Sequence, residues 1–237
     1  LGIGLLAVIP FLTLKAQKAM TPQDLQDWKR ITTRAISDDG QWAAAIFTPW
    51  KGDSEVQLLS VDGKAVQSYI PASEVKFSSS YAIVKKVPAD ALMDELKLKK
   101  TKKDKMPMDE LVIRNLKSGT EWSIDSLKGY KLAENGEWLA YQRTRKDSSL
   151  VVVSLDGTQK FVLPSASAYG FAKEKAALYF VTKEDKDGKK PGMYLWTAEK
   201  PQPILIKEGK GVFVQPAFDK AGSKLAFLYT DNKKEKD

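Results

Sequence analysis

Apolar residues in this chain fall in short runs, and two kinds of turn punctuate them in alternation. One kind precedes an apolar strand: Gly40 in "DDGQWAAAIF", Ser80 in "SSSYAIVKK", Gly136 in "ENGEWLAYQ", Glu174 in "AKEKAALYFV" and Gly222 in "KAGSKLAFLY". The other follows a β-branched or aromatic strand: Gly63 in "VQLLSVDGKAV", Gly119 in "LVIRNLKSGTEW", Gly157 in "LVVVSLDGTQKF" and Lys200 in "MYLWTAEKPQPI". Gly tolerates positive φ and Asp bonds its own backbone, so Asp-Gly ahead of an apolar run signals a tight turn. From each second-kind turn to the next first-kind turn the count is 17 residues (63 to 80), 17 (119 to 136), 17 (157 to 174) and 22 (200 to 222). The complementary interval varies: 23, 39, 21 and 26 residues. Insertions therefore enter at one point of a repeat.

Each repeat holds four short strands; in the third these are expected at residues 127–133, 137–145, 149–155 and 159–164. Four strands in roughly 40 residues, with insertions at a single place, is the signature of β-propeller blades. An immunoglobulin-like sandwich has turns at similar spacing but no such locked recurrence. The expected fold class is all-β: a partial β-propeller over residues 32–237, with four full blades and the start of a fifth that stops after "SKLAFLYT". On this reading the chain is a fragment, truncated at both ends.

Residues 1–14, "LGIGLLAVIPFLTL", carry no charge and resemble the apolar centre of a secretory signal peptide, with cleavage after Ala16. A signal peptide over residues 1–16 makes the protein exported, periplasmic or secreted. An uncleaved anchor is the alternative, although fourteen residues is short of the ~20 that a span requires. No stable membrane anchor is expected, and no Cys follows the run to carry a lipid. In "TPQDLQDWKRI", Thr21 caps, Pro22 suits the first helical position and Asp24 completes a capping-box spacing, which predicts a short helix over residues 20–31. Leu25 and Trp28 share a face that would pack across the start of the next domain.

Composition changes this picture in two ways. The apolar fraction of 43% and charged fraction of 29% are those of a globular protein, and the net charge is +8. Much of that charge is local: Lys97, Lys99, Lys100, Lys102, Lys103 and Lys105 crowd one insertion. No aromatics interleave with these lysines as stacking platforms, so a solvated insertion is expected and no nucleic-acid partner. There is no Cys and no His, which removes disulfides, thiolate metal sites and imidazole chemistry. "KEDKDGKK", residues 183–190, has Asp185, Asp187 and Gly188 but lacks the closing Glu of a calcium loop. Gly209-Lys210-Gly211 is a turn without the strand-to-helix setting of a phosphate loop. Trp42, Tyr81, Trp138 and Tyr179 recur just after the turns and are expected to fill space between blades. No catalytic, cofactor-binding or metal-binding residue is expected in the chain, and no cofactor.

The order of leader, "TPQDLQDWKRI" and "ISDDGQWAAAIF" resembles the N-terminus of prolyl oligopeptidase family serine peptidases, chiefly the secreted bacterial members. The resemblance covers residues 20–237, rests on order and spacing, and is most specific at "MTPQDLQDWKRI" and at the lysine-rich loop running into "DKMPMDELVIRNLKSG". Asp38 stands where that family's blade turn usually has Pro. The resemblance implies a propeller seated over an α/β-hydrolase domain with a Ser-Asp-His triad, gating access to short peptides. That domain is absent from this sequence: there is no Gly-x-Ser-x-Gly elbow, and no His to take the serine proton. The implied partners are the protein's own C-terminal hydrolase domain and peptide substrates. The alternative is a non-catalytic periplasmic propeller that binds protein partners.

Overall fold

The computed structural model describes residues 20, 21, 24, 28–144, 148–183 and 190–231. The expected signal peptide and most of "KEDKDGKK" lie outside them. β1 (Lys29–Ile36), β2 (Trp42–Pro49), β3 (Glu55–Ser60) and β4 (Ala65–Tyr69) form an antiparallel meander. Ten further strands follow in sequence order: β5 (Ala72–Ser78), β6 (Tyr81–Lys86), β7 (Asp109–Asn115), β8 (Glu121–Leu132) and β9 (Trp138–Arg143), then β10 (Ser149–Ser154), β11 (Lys160–Phe171), β12 (Ala177–Thr182), β13 (Gly192–Thr197) and β14 (Ile204–Glu208). A hairpin of β15 (Val212–Phe218) and β16 (Leu225–Thr230) ends the described chain. No strand of this hairpin pairs with β1, and no ring closes among the described residues.

The ten strands do not make one flat sheet, because β8 and β11 change partners midway. Glu121–Ile124 pair with β7, whereas Leu127–Leu132 pair with β9. Lys160–Ser165 pair with β10, whereas Ala166–Phe171 pair with β12. Each long strand is thus the last strand of one four-stranded unit and the first of the next.

Alternate residues of the middle strands feed different cores. Val84 and Val112 pack with Ala44, Ile46, Val56 and Leu58 of the first sheet. Their neighbours Ile83, Leu111 and Ile113 pack with Leu139, Tyr141, Val151 and Val153 of the next unit. Ala140, Leu150 and Val152 then meet Leu178, Phe180 and Trp196. The units are stacked face to face with both faces buried, which is why the sequence shows unbroken apolar runs rather than alternation. Trp42, Tyr81 and Trp138 pack into the three successive gaps, and Tyr179 meets Phe218 of β15 at 5.9 Å between ring centroids, in the space-filling role expected of them.

Every unit's first strand carries a one-residue bulge against its second strand. The register slips between Ile31 and Thr33, Ala72 and Glu74, Leu127 and Gly129, Ala166 and Ala168, and Val214 and Ala217. A bulge leaves a ladder acceptor short of its donor. In two units a hydroxyl replaces it: Thr32 Oγ1 donates to the Ile46 carbonyl (3.4 Å) and Ser167 Oγ to the equivalent Val181 carbonyl (3.2 Å).

The predicted turns are present. Gly40, Gly63, Gly119, Gly136, Gly157 and Gly222 all have φ between 66° and 76°. Three turns share a Ser-x-Asp-Gly pattern, at residues 37–40, 60–63 and 154–157. In each, the Ser hydroxyl donates to the Asp carboxylate, which in turn accepts a backbone N–H past the Gly. Those hydrogen bonds, the Ser hydroxyl's first, hold the Asp39, Asp62 and Asp156 carboxyls below their ordinary value. The Ser80 turn differs in placing Ser79, not a Gly, at φ 51°, and the expected turns at Glu174 and Lys200 use no positive φ.

Two expectations are corrected. The chain beyond residue 31 is not all β: α1 spans Asp90–Leu98, followed by a 3-10 turn at Lys103–Lys105. Good helix formers, an acid in the first turn, a base in the last and the pairs Asp94–Lys97 and Glu95–Lys99 favour helix here. Asp53, from the loop between β2 and β3, accepts the Asp90 N–H at 2.8 Å and ties α1 to the first sheet. The N-terminal helix also stops short of residue 31, because Lys29, Arg30 and Ile31 pair with Pro49, Thr48 and Phe47 in β1. Thr21 and Asp24 do bond reciprocally, N–H to carboxylate at 2.7 Å and N–H to hydroxyl at 3.2 Å. Trp28 is 63% exposed and does not pack across the domain start.

Candidate functional face

Backbone hydrogen bonds separate two faces of the stack. On one, the second turn of each unit bonds to its first: Leu116 N–H to Ser80 O, Leu155 N–H to Glu137 O and Ala198 N–H to Ala176 O, each at 2.9 Å. This face consists of tight turns, and neighbouring units touch across it. A Cβ on Gly136 would lie 3.2 Å from Ser79, and Trp122 Nε1 donates to the Leu155 carbonyl at 3.0 Å.

The opposite face joins the loop between second and third strands to the connector between units. Ala72 N–H reaches Ser54 O (3.0 Å), Val87 N–H reaches Pro71 O (3.3 Å), Thr144 N–H reaches Ser126 O (2.8 Å) and Gly209 N–H reaches Pro191 O (2.9 Å). The insertion at residues 87–108 emerges here, and Lys190 and Pro191, at the end of the second, lie here too. Loops of varying length on a fixed scaffold make this the candidate face.

A cavity of about 590 Å³ opens on it, lined by Ser167, Val181, Thr182, Pro191, Gly209 and Phe213 among others. Among the described residues it shows no nucleophile–base pair: Ser167 Oγ is committed to the Val181 carbonyl, and Thr182 Oγ1 donates to the Lys190 carbonyl at 3.2 Å. Gly209-Lys210-Gly211 forms the connector into β15. A second cavity of about 400 Å³ lies between β4 and β7–β8. Its charges satisfy one another: Glu121 accepts from Tyr69 Oη (2.6 Å) and Arg114 (2.5 Å), and Lys86 meets Glu110 at 3.1 Å. Burial, then the Glu121 carboxylate, raises the Tyr69 phenol. The Tyr69–Glu121 bond joins β4 to β8 across two sheets, whereas the two ion pairs lie within one. Among the described residues no three side chains of metal-binding type converge.

Glu55 is the most constrained carboxylate. It is 9% exposed and accepts from Ser68 Oγ (2.6 Å), Gln57 Nε2 (2.8 Å) and Lys29 Nζ (2.9 Å). The Ser68 bond first, then those from Gln57 and Lys29, pull its pKa from 4.5 to about 2. A depressed carboxyl pKa contributes stability that is fully present above the unfolded value and lost as the proton returns. Glu55→Gln should therefore be less stable than the parent at pH 7. The two should converge as pH falls from 4.5 towards 2 in urea titrations. A constant gap across that window would rule out this carboxylate as the source.

The six lysines of the insertion are all exposed. Lys97 and Lys99, the latter just past the end of α1, pair with Asp94 and Glu95 of the helix, and Leu98 is 84% exposed. A different set of cations lies along the first strands. Lys76 Nζ sits 5.2 Å from the centroid of the Tyr130 ring, and Lys131 Nζ sits 5.6 Å from that of Tyr169. Each contact runs from the first strand of one unit to the first strand of the next. Burial holds the Tyr169 phenol up at about 12. The sequence reading passed over these four residues, although each lies a few positions before a first-kind turn.

Successive four-stranded antiparallel meanders, stacked face to face with their first strands adjacent, define a fold of the β-propeller type. No protein-family model matches the chain, and no curated sequence does. Among solved structures it is similar to a eukaryotic initiation factor, with TM-score 0.54 and 14% identity over 85% of this chain and 49% of that one. It is also similar to a prolyl endopeptidase, with TM-score 0.50 and 15% identity over 85% of this chain and 32% of that one. The β-propeller domain of the Trilobed protease from Pyrococcus furiosus matches with TM-score 0.47 and 10% identity, over 88% of this chain and 70% of that one. The likeness is one of fold. The chain spans about half the length of the initiation factor and about a third of the endopeptidase.

Proposed function

We propose that the chain is the propeller part of an exported serine peptidase of the prolyl oligopeptidase type, and that it gates the access of short peptides to a hydrolase domain. In this reading the chain holds four full blades and the start of a fifth, and residues 1–16 are a signal peptide removed before Gln17. The observation that carries it is the N-terminal order: the uncharged apolar run of residues 1–14, the Thr21–Asp24 reciprocal cap, then the "ISDDGQWAAAIF" turn with Gly40 at φ 66°. The fold likeness to a prolyl endopeptidase is consistent with it. With no His in the sequence, these residues supply no imidazole base for a Ser-Asp-His triad; in this reading they bind, orient or exclude.

The test is the whole protein, with whatever follows residue 237, treated with a fluorophosphonate probe and assayed on peptides and on folded proteins. One serine within a Gly-x-Ser-x-Gly elbow should be labelled. Short peptides should be cleaved at least tenfold faster than the same sequence inside a folded protein. A full-length protein with no labelled serine would instead be the non-catalytic binding module.

A further inference from the structure

We propose that the first strands form a cationic wall that selects peptides bearing carboxylates; the inference rests on the peptide-access reading above. First strands approach one another across successive units, as the Lys76–Tyr130 and Lys131–Tyr169 contacts require. Their charges are lopsided. β1 carries Lys29, Arg30 and Arg34, β5 carries Glu74 and Lys76, and the first-strand part of β8 carries Lys128 and Lys131. The first-strand part of β11 and the whole of β15 carry none. Two of the cations are already neutralised, Lys29 by Glu55 at 2.9 Å and Lys76 by Glu74 at 2.6 Å. Among the described residues no carboxylate pairs with Arg30, Arg34, Lys128 or Lys131, and all four are exposed. Glu74, the one carboxylate on these strands, is spent on Lys76.

Two features distinguish this wall from a scatter of solvated lysines. Lys131 lies over the half-buried Tyr169 ring, so less rotamer freedom remains to be lost when it meets an anion. Lys128 is the bulged residue of its strand, and bulges re-aim the side chain they carry. The occupant that fits is an extended peptide with Asp or Glu side chains or a free C-terminal carboxylate. A basic peptide would meet like charge, which disfavours the wrong partner.

The probe is a set of fluorescein-labelled peptides of alternating Gly and Glu, Gly and Lys, or Gly and Gln, C-terminally amidated, plus a Gly-Gln peptide with its carboxylate free. Fluorescence anisotropy at low salt should show binding of the Gly-Glu peptide by this chain and none of the Gly-Lys peptide. Added salt should weaken that binding. Binding of the free-carboxylate Gly-Gln peptide would place the recognised group at the terminus, within the same chemistry. The Lys128→Gln/Lys131→Gln variant should lose about fivefold in affinity, as expected for two exposed ion pairs. The control Lys100→Gln/Lys103→Gln, in the exposed insertion, should lose less than twofold. Equal binding of the Gly-Lys peptide, no binding of any, or a loss that follows the control variant overturns the proposal. The binding needs only this chain, whereas probe labelling needs the whole protein, so either reading can fail without the other.

Discussion

Trp196→Ala should lower the unfolding free energy by about 3–5 kcal/mol, the range for truncating a large buried aromatic. Trp196 has no exposed surface. Its ring meets Trp138 edge-on at 5.4 Å and Phe161 at 5.4 Å, joining β13 to β9 and β11. It packs with Leu150, Val152, Leu178 and Phe180, the facing residues of two successive units. Alanine would leave a void in that gap, and flanking backbone held in β ladders cannot collapse to fill it. Trp196→Phe is the informative companion. The indole Nε1 has no hydrogen-bond partner, so phenylalanine removes an unpaired donor while keeping most of the volume. Its cost should be well under half that of alanine. Urea titration followed by near-ultraviolet circular dichroism measures both. A loss below 1 kcal/mol for alanine would mean that face-to-face packing does not hold these units together.

Gly192→Ala should cost about 1–3 kcal/mol by overpacking alone. The backbone there is not left-handed, so φ strain plays no part. A Cβ on Gly192 would fall 2.3 Å from the Lys207 carbonyl oxygen and 3.2 Å from the Glu208 Cα. Both are backbone atoms of β14, the strand that Gly192 pairs with, and neither can swing aside. β14 must move away, so hydrogen exchange of its amides should quicken while that of β9 and β10 stays protected. Unchanged exchange in β14 would refute the close approach.

Much of this architecture was legible in the sequence. The glycines located the turns, since Gly at positive φ leaves a mark in composition: Gly63, Gly119, Gly136 and Gly157, read as turns, all have φ near 75°. The strands of the third unit matched within one or two residues at their free ends. α1 was not legible, because its lysines drew attention to charge and away from helical spacing, and because its anchor Asp53 lies 37 residues earlier. The Lys76–Tyr130 and Lys131–Tyr169 contacts were hidden for another reason. They depend on which first-strand residues face the next unit, and each first-strand bulge shifts that by one place. A repeat count fixes the period of such a fold but not its phase through a bulge.

The partner exchange within β8 and β11 has a consequence for how such proteins can be rebuilt. At these two junctions neighbouring units share a strand with no linker between them, so a cut at the packing boundary there severs a strand. Graftable pieces must begin and end in the tight turns instead, for instance after Gly136 or Gly157, one strand or more out of step with the sheets that stack. A piece cut that way carries strands of two sheets, and each new junction has to match an edge on its neighbour.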